Sequence, residues 1–180
     1  MAEATRVPGA PPNPPEDLGD DIVIGGSPED RAQLRELYLT FLDANDHIDF
    51  QKLQTIWSYG PDKWYFNTNG YNYYGLEDWE HIWDYYRPQF AVVKPFTPGR
   101  RLTHISGDLA LLAGEYLGRY KEWAGGDGGG AIATQTRELA TLMHHRLTMV
   151  CLRSEGQWRV IHFHSSEQAL GPRPDQADVR

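Results

Sequence analysis

Cysteine is nearly missing from this chain of 180 residues, with Cys151 alone. That excludes an internal disulfide framework and any structural zinc site needing two or more thiolates, and it fits a reducing cytoplasm. Long apolar runs are missing too. The longest, such as Leu109 to Ala113, fall far short of the roughly 20 residues that a membrane-crossing helix needs. The opening Met1-Ala2-Glu3-Ala4 has neither the basic nor the apolar region of a secretory signal, so no membrane contact and a cytoplasmic location are expected. Positive charge is also in short supply: the formal net charge is -8. Most of it is local, because residues 1–30 set seven acidic groups against Arg6 alone, a balance of -6, and the remaining 150 residues sum to -2. Nothing forms the basic stripe that phosphate binding requires, so nucleic acid is not an expected partner. No internal repeat is present.

What the chain does contain suits one globular domain: 40% hydrophobic, 23% charged and 12% aromatic residues. Half of the twelve prolines fall within the first 28 residues, beside acidic and small neighbours that cannot pack a core. Residues 1–27 are therefore read as a disordered or loosely docked acidic arm, 28–170 as the domain, and 171–180 as a tail. The 143 positions of the domain suffice to bury roughly two thirds of the unfolded surface in one core.

Ser27-Pro28-Glu29-Asp30 signals a helix start, with a capping hydroxyl, a proline in the first turn and acidic groups at the positive end of the dipole. Leu34, Leu37, Tyr38, Phe41 and Leu42 then recur at helical spacing. A second short helix is expected from Asp49, and Gly60-Pro61-Asp62 ends it. Trp64 to Asn67 reads as a strand, Asn69-Gly70 as a turn, Tyr71 to Tyr74 as the return, and Leu76 to Tyr86 as a third helix stopped by Pro88. Strands follow over 90–97, 100–106 and 109–123. After a Gly-rich loop at 125–130 come strands over 133–153 and 158–165. The Gly-rich loop lacks the strand-to-helix context and the lysine of a phosphate cradle. Three helices followed by a strand meander predict an α+β fold with helices covering one face of a curved antiparallel sheet.

This order resembles the nuclear transport factor 2-like (NTF2-like) superfamily in its SnoaL-like and ketosteroid isomerase-like branch. The residues that carry the resemblance are Asp49-Phe50, Gly75-Leu76-Glu77, Gly107-Asp108-Leu109-Ala110 and the closing Gly156-Gln157-Trp158-Arg159-Val160-Ile161-His162-Phe163-His164-Ser165. The resemblance implies a cone-shaped, cystatin-like α+β barrel with a deep apolar pocket and a homodimer through the outer sheet face. It leaves the chemistry open, since members include isomerases, cyclases, dehydratases and proteins without catalysis. By the same resemblance, the three working positions of ketosteroid isomerases fall at Thr148, near Asn67, and at Tyr38 or, with a shifted alignment, Phe41. An amide at Asn67 has no useful basicity, so that isomerase's mechanism is not expected here.

Pairing arithmetic on the last hairpin needs no family. If Glu155-Gly156 turns the chain, Arg153 opposes Trp158, and opposed residues share a face. One face then holds Arg146, Thr148, Val150, Ile161, Phe163 and Ser165, and the other His145, Leu147, Met149, Cys151, Val160, His162 and His164. The three histidines suggest a metal site, but no carboxylate is placed beside them, and packed, hydrogen-bonded rings are the expectation; no metal and no cofactor are called for.

Glu115, in an apolar stretch, is a candidate base if buried; solvation or pairing with Arg119 is the alternative. Arg146 and Ser165 could grip a carboxylate or oxyanion, or form an interface ion pair. Tyr65, Trp79, Trp83 and Tyr86, with Ile161 and Phe163, would line the pocket, although such stripes also build cores. Residues 57–90 hold 13 of the 22 aromatics, an excess that points to a flat apolar ligand. The leading expectation is a protein enclosing a small, largely apolar or cyclic molecule. Any catalysis would be cofactor-independent isomerase or lyase chemistry, dehydration or cyclisation, with Tyr38, Asn67 and Thr148 polarising an oxygen and Glu115 or a histidine moving the proton. The rival is a non-catalytic dimeric binding or association module whose acidic arm recruits a partner.

Overall fold

The computed structural model describes residues 21–88, 90–91, 94–119, 122–123 and 143–167. The arm up to residue 20, the Gly-rich loop and the tail lie outside the described residues. Helix α1 (Pro28–His47) starts where the sequence places it. The Ser27 hydroxyl accepts from the Asp30 N–H at 3.1 Å while the Asp30 carboxylate accepts from the Ser27 N–H at 3.1 Å, so two free donors are satisfied reciprocally. Its apolar stripe, Leu34, Leu37, Tyr38, Phe41 and Leu42, is buried. Asp49 caps the short α2 (Phe50–Gln54) through the Lys52 N–H. Strands β2 (Trp64–Phe66) and β3 (Asn72–Tyr74) pair antiparallel and lead into α3 (Gly75–Tyr86). Gly75, at φ 83°, makes that turn against the Gly60 carbonyl, which a Cβ would approach to 3.2 Å.

Four long strands carry the sheet or its edge: β5 (Lys94–Ser106), β6 (Leu109–Arg119), β8 (Met143–Ser154) and β9 (Gln157–Glu167). The short β4 (Phe90–Ala91) and β7 (Glu122–Trp123) pair with each other. Residues 21–27, read from the sequence as the end of the arm, contain β1 (Asp21–Ile24), which runs parallel to β5. The order is β1-β5-β6-β8-β9-β2-β3, a seven-stranded, curved, unclosed sheet. It is antiparallel except at β1–β5 and β2–β9. Helix α1 packs on β5 and β9, so the core sits between the helices and the inner face of the sheet.

The last hairpin turns at Glu155-Gly156, both with positive φ, and Arg153 pairs with Trp158 as expected. Three residues along β8 the expectation fails. Cys151 pairs with Val160, but Val150 pairs with His162, so Ile161 is an extra residue and forms a β-bulge. Side chains alternate with a period of two, and one extra residue exchanges the faces of everything beyond it. The inner face therefore holds His145, Leu147, Met149 and Cys151 together with Phe163 and Ser165, all buried. Arg146, Thr148 and Val150 look outward with His162 and His164. The predicted grouping of Thr148 with Phe163, and of His145 with His162 and His164, is corrected by this bulge.

Candidate functional site

The inner face is filled along much of its length by rings. Phe41 contacts Trp57, Phe163 and Tyr116 with centroids 6.0, 5.3 and 5.9 Å away. Trp57 stacks on Trp79 at 6.5 Å, and Tyr65 and Tyr73 close around Trp79 at 5.6 and 4.9 Å. The Tyr65 hydroxyl donates to the Ser58 carbonyl, and burial pushes its pKa up. Trp83 is buried against Phe50, and Tyr86 accepts a hydrogen bond from Asn69, which also donates to Tyr73. Of the aromatic excess between 57 and 90, these rings therefore serve packing, while Tyr71 and Tyr74 are exposed.

The side chains of the four residues proposed from sequence for catalysis do not converge on one point. Tyr38 is wholly buried, its hydroxyl donates to the Glu115 carbonyl at 3.1 Å, and desolvation raises its pKa, so it is a neutral structural donor. Asn67 folds back on its own turn, accepting from the Thr68 N–H at 2.8 Å. Glu115 is exposed opposite Arg146, and Thr148 faces outward opposite Ala113 and His164. Arg146 instead donates to the Glu167 carbonyl. Ile161 is the half-buried bulge residue, and Phe163 belongs to the ring cluster. His145 is separated from His162 and His164 by the sheet, and among the described residues no group of three His, Cys, Asp or Glu could hold a metal ion.

A different polar group does converge on the inner face, at the end of β6, β8 and β9 away from the hairpin turn. The Tyr116 and Ser165 hydroxyls are hydrogen-bonded at 3.1 Å and buried. The imidazole of His145, wholly buried, stacks on Tyr116 with centroids 4.7 Å apart and planes 14° apart. Phe96 stands edge-on to both rings, its strand tied to α1 by the Phe96 N–H donating to Asp46. Glu167 pairs directly with His145 across β8 and β9, on the same side of the sheet. Burial raises its carboxyl pKa, and its charge in turn raises that of Tyr116, for which desolvation is the larger cause. The row runs from an exposed carboxylate inward to an imidazole and two hydroxyls.

Such a row contains the parts for proton transfer: an imidazole with a carboxylate beside it, and a neutral phenol able to donate. Sequence reasoning found Ser165, and took His145 with His162 and His164 as packed rings or a metal site, with an unspecified histidine as an alternative to Glu115 for moving the proton. Tyr116 and Glu167 were missed. No sequence signal marks them: Glu167 falls opposite His145 only because the extra residue at Ile161 shifts the hairpin pairing by one.

Solved structures of other proteins share this architecture. An NTF2-like protein of unknown function from Pseudomonas putida is 21% identical, with 83% of this chain and 99% of that one covered and a TM-score of 0.60. A type 2 hexachlorocyclohexane dehydrochlorinase is 17% identical, covering 81% and 89%, with a TM-score of 0.60. A ketosteroid isomerase-like protein from Erwinia carotovora atroseptica is 12% identical, covering 79% and 99%, with a TM-score of 0.59. At these identities the likeness is one of fold alone. No curated protein sequence matches the chain. The sequence pattern of the SnoaL-like domain, however, matches residues 34–170, from the first buried leucine of α1 to beyond β9. With that span and this sheet, the chain belongs to the SnoaL-like domain family of the NTF2-like superfamily.

Proposed function

We propose that this SnoaL-like domain binds a small, largely apolar molecule at the inner-face end formed by Tyr116, His145, Ser165 and Glu167, and moves a proton there without a cofactor. One observation carries the reading: this row of polar groups closes an interior otherwise built of aromatic and aliphatic side chains. His145 is the base, Glu167 stabilises the imidazolium that forms, and the Tyr116–Ser165 pair donates to the oxygen that gains charge. The reaction class is isomerisation or elimination next to a carbonyl or hydroxyl. Proteins of this shape include a dehydrochlorinase, which places enzymes within the fold.

The test is deuterium exchange at the carbon beside the carbonyl of cyclic ketones such as 2-tetralone, followed by NMR. The wild-type chain accelerates exchange, and His145→Gln loses about 10²- to 10⁴-fold of that acceleration with an unchanged circular dichroism spectrum. Equal exchange with both proteins, or acceleration by neither, defeats the reading.

A second reading, a non-catalytic dimeric association module, is favoured by the outer face. Ile22, Ile24, Leu109, Leu111 and Leu152 are all exposed there, Leu111 and Leu152 by 40% each. Exposed apolar side chains of this kind suit a second copy of the chain. Sedimentation tests it: a wild-type dimer that Leu111→Arg converts to a monomer supports the interface, and a wild-type monomer removes it.

A further inference from the structure

At the β1 edge of the sheet, away from the Tyr116–His145 row, α1, β1 and β5 line a pocket of about 190 Å³ that is open to solvent on one side. We propose that it binds a small organic carboxylate with an apolar body no larger than one ring. The parallel pairing of β1 with β5 sets Asp21 beside Arg101 and Val23 beside Thr103 on the inner face. Helix α1 adds Arg31 and Arg35, four residues apart and so on one helix face. Three guanidinium groups thus surround the space against a single carboxylate, in a chain whose net charge is -8.

The three arginines are not equivalent. Arg101 is buried, paired with Asp21, and held 4.4 Å over the Tyr38 ring, so it is a fixed part of the wall. Arg31 uses its Nε on the Gly25 carbonyl at 2.9 Å, which pins its stem while its terminal nitrogens remain available. Arg35 has no acidic partner among the described residues. Like charges four residues apart on a helix repel, and an anion between Arg31 and Arg35 reverses that cost. A planar carboxylate matches the guanidinium fork with two parallel hydrogen bonds.

The rest of the lining decides between an inorganic anion and an organic one. Val23 and Ala32 contribute apolar wall, and the buried Thr103 lies at the inner end. A cavity of about 150 Å³ already accommodates benzene in an engineered protein, so the space here holds one ring with its carboxylate. A bare phosphate would leave the Val23 and Ala32 surface unused.

The experiment is calorimetric titration of the full-length chain with benzoate. Benzyl alcohol serves as the uncharged match and inorganic phosphate as the charge without a ring. Benzoate is expected to bind, with benzyl alcohol and phosphate each at least about tenfold weaker. Arg31→Gln and Arg35→Gln each weaken benzoate about tenfold, the loss of one charge-assisted contact, and both positions are exposed, so the fold is retained. His145→Gln leaves benzoate affinity unchanged, which separates this site from the one proposed above. Absence of benzoate binding, indifference to both arginine substitutions, or phosphate binding as tightly as benzoate overturns the proposal.

Discussion

The two ends of the inner sheet face treat their buried polar groups in opposite ways. At the hairpin end the groups are charged and fully partnered. Asp30 accepts from Arg153 at 2.6 Å, from the Trp158 indole at 3.1 Å and from both the backbone and the hydroxyl of Ser27. Arg153 also reaches Asp108 and lies 5.3 Å over the Trp158 ring. This arrangement fastens the start of α1 to the β8–β9 hairpin. At the other end stand neutral hydroxyls and an imidazole, joined by one hydrogen bond and a ring stack. Ion pairs with fixed geometry hold their charges in place, whereas hydroxyls and an imidazole are groups through which a proton can pass. The difference distinguishes polarity that holds the fold from polarity available for chemistry.

The comparison breaks most completely if the rings between the two ends are removed. Trp57→Ala is expected to cost about 3–5 kcal/mol of folding stability, read from urea denaturation, and to weaken both ends together. Next in size, Trp158→Phe takes one donor from the charged Asp30 and costs about 1.5–3 kcal/mol, whereas Ser165→Ala removes a neutral bond and costs about 0.5–1.5 kcal/mol. Equal losses would erase the distinction.

Acid titration sharpens it further, because the carboxyls at the two ends shift in opposite directions. The Ser27 backbone N–H, followed by its hydroxyl, lowers the Asp30 pKa. Its contribution is therefore present above the unfolded value near 4 and lost as pH falls through the folded value. Burial raises the Glu167 pKa, so its effect is a loss of stability as pH rises from the unfolded value through the folded one. Stability measured against pH should lose its acid slope in Asp30→Asn and gain at neutral pH in Glu167→Gln. The smallest expected effect lies between the ends. Burial pushes the Cys151 thiol up to about 12, so iodoacetamide should leave the folded chain unlabelled and add one label per chain in urea.

Local signals in the sequence were enough for the helices and the hairpin turn. Ser27, Asp49 and Glu155-Gly156 act within a few residues, and each stands where its chemistry requires. The strand β1 was hidden because Asp21–Ile24 lies in an acidic, Gly-rich context and gains its partner only from β5, some 80 residues on. The site was hidden for a related reason. The bulge at Ile161 is set by neighbours on both sides of β9: β8, and the parallel bridge and strand formed by Trp57 and by Trp64–Phe66. No pattern within 158–165 announces it, and every face assigned to β8 relative to β9 depends on it. Glu115 illustrates the cost, since its apolar neighbours suggest burial while the pairing with Arg146 places it outside.

That extra residue makes chain length matter more than side-chain identity at one point. Replacing Ile161 by another aliphatic residue alters a half-buried contact, but deleting it would turn Phe163 and Ser165 out to solvent and bring His162 and His164 into the ring cluster. Among descendants of this sequence, position 161 should therefore tolerate many spellings and no omission.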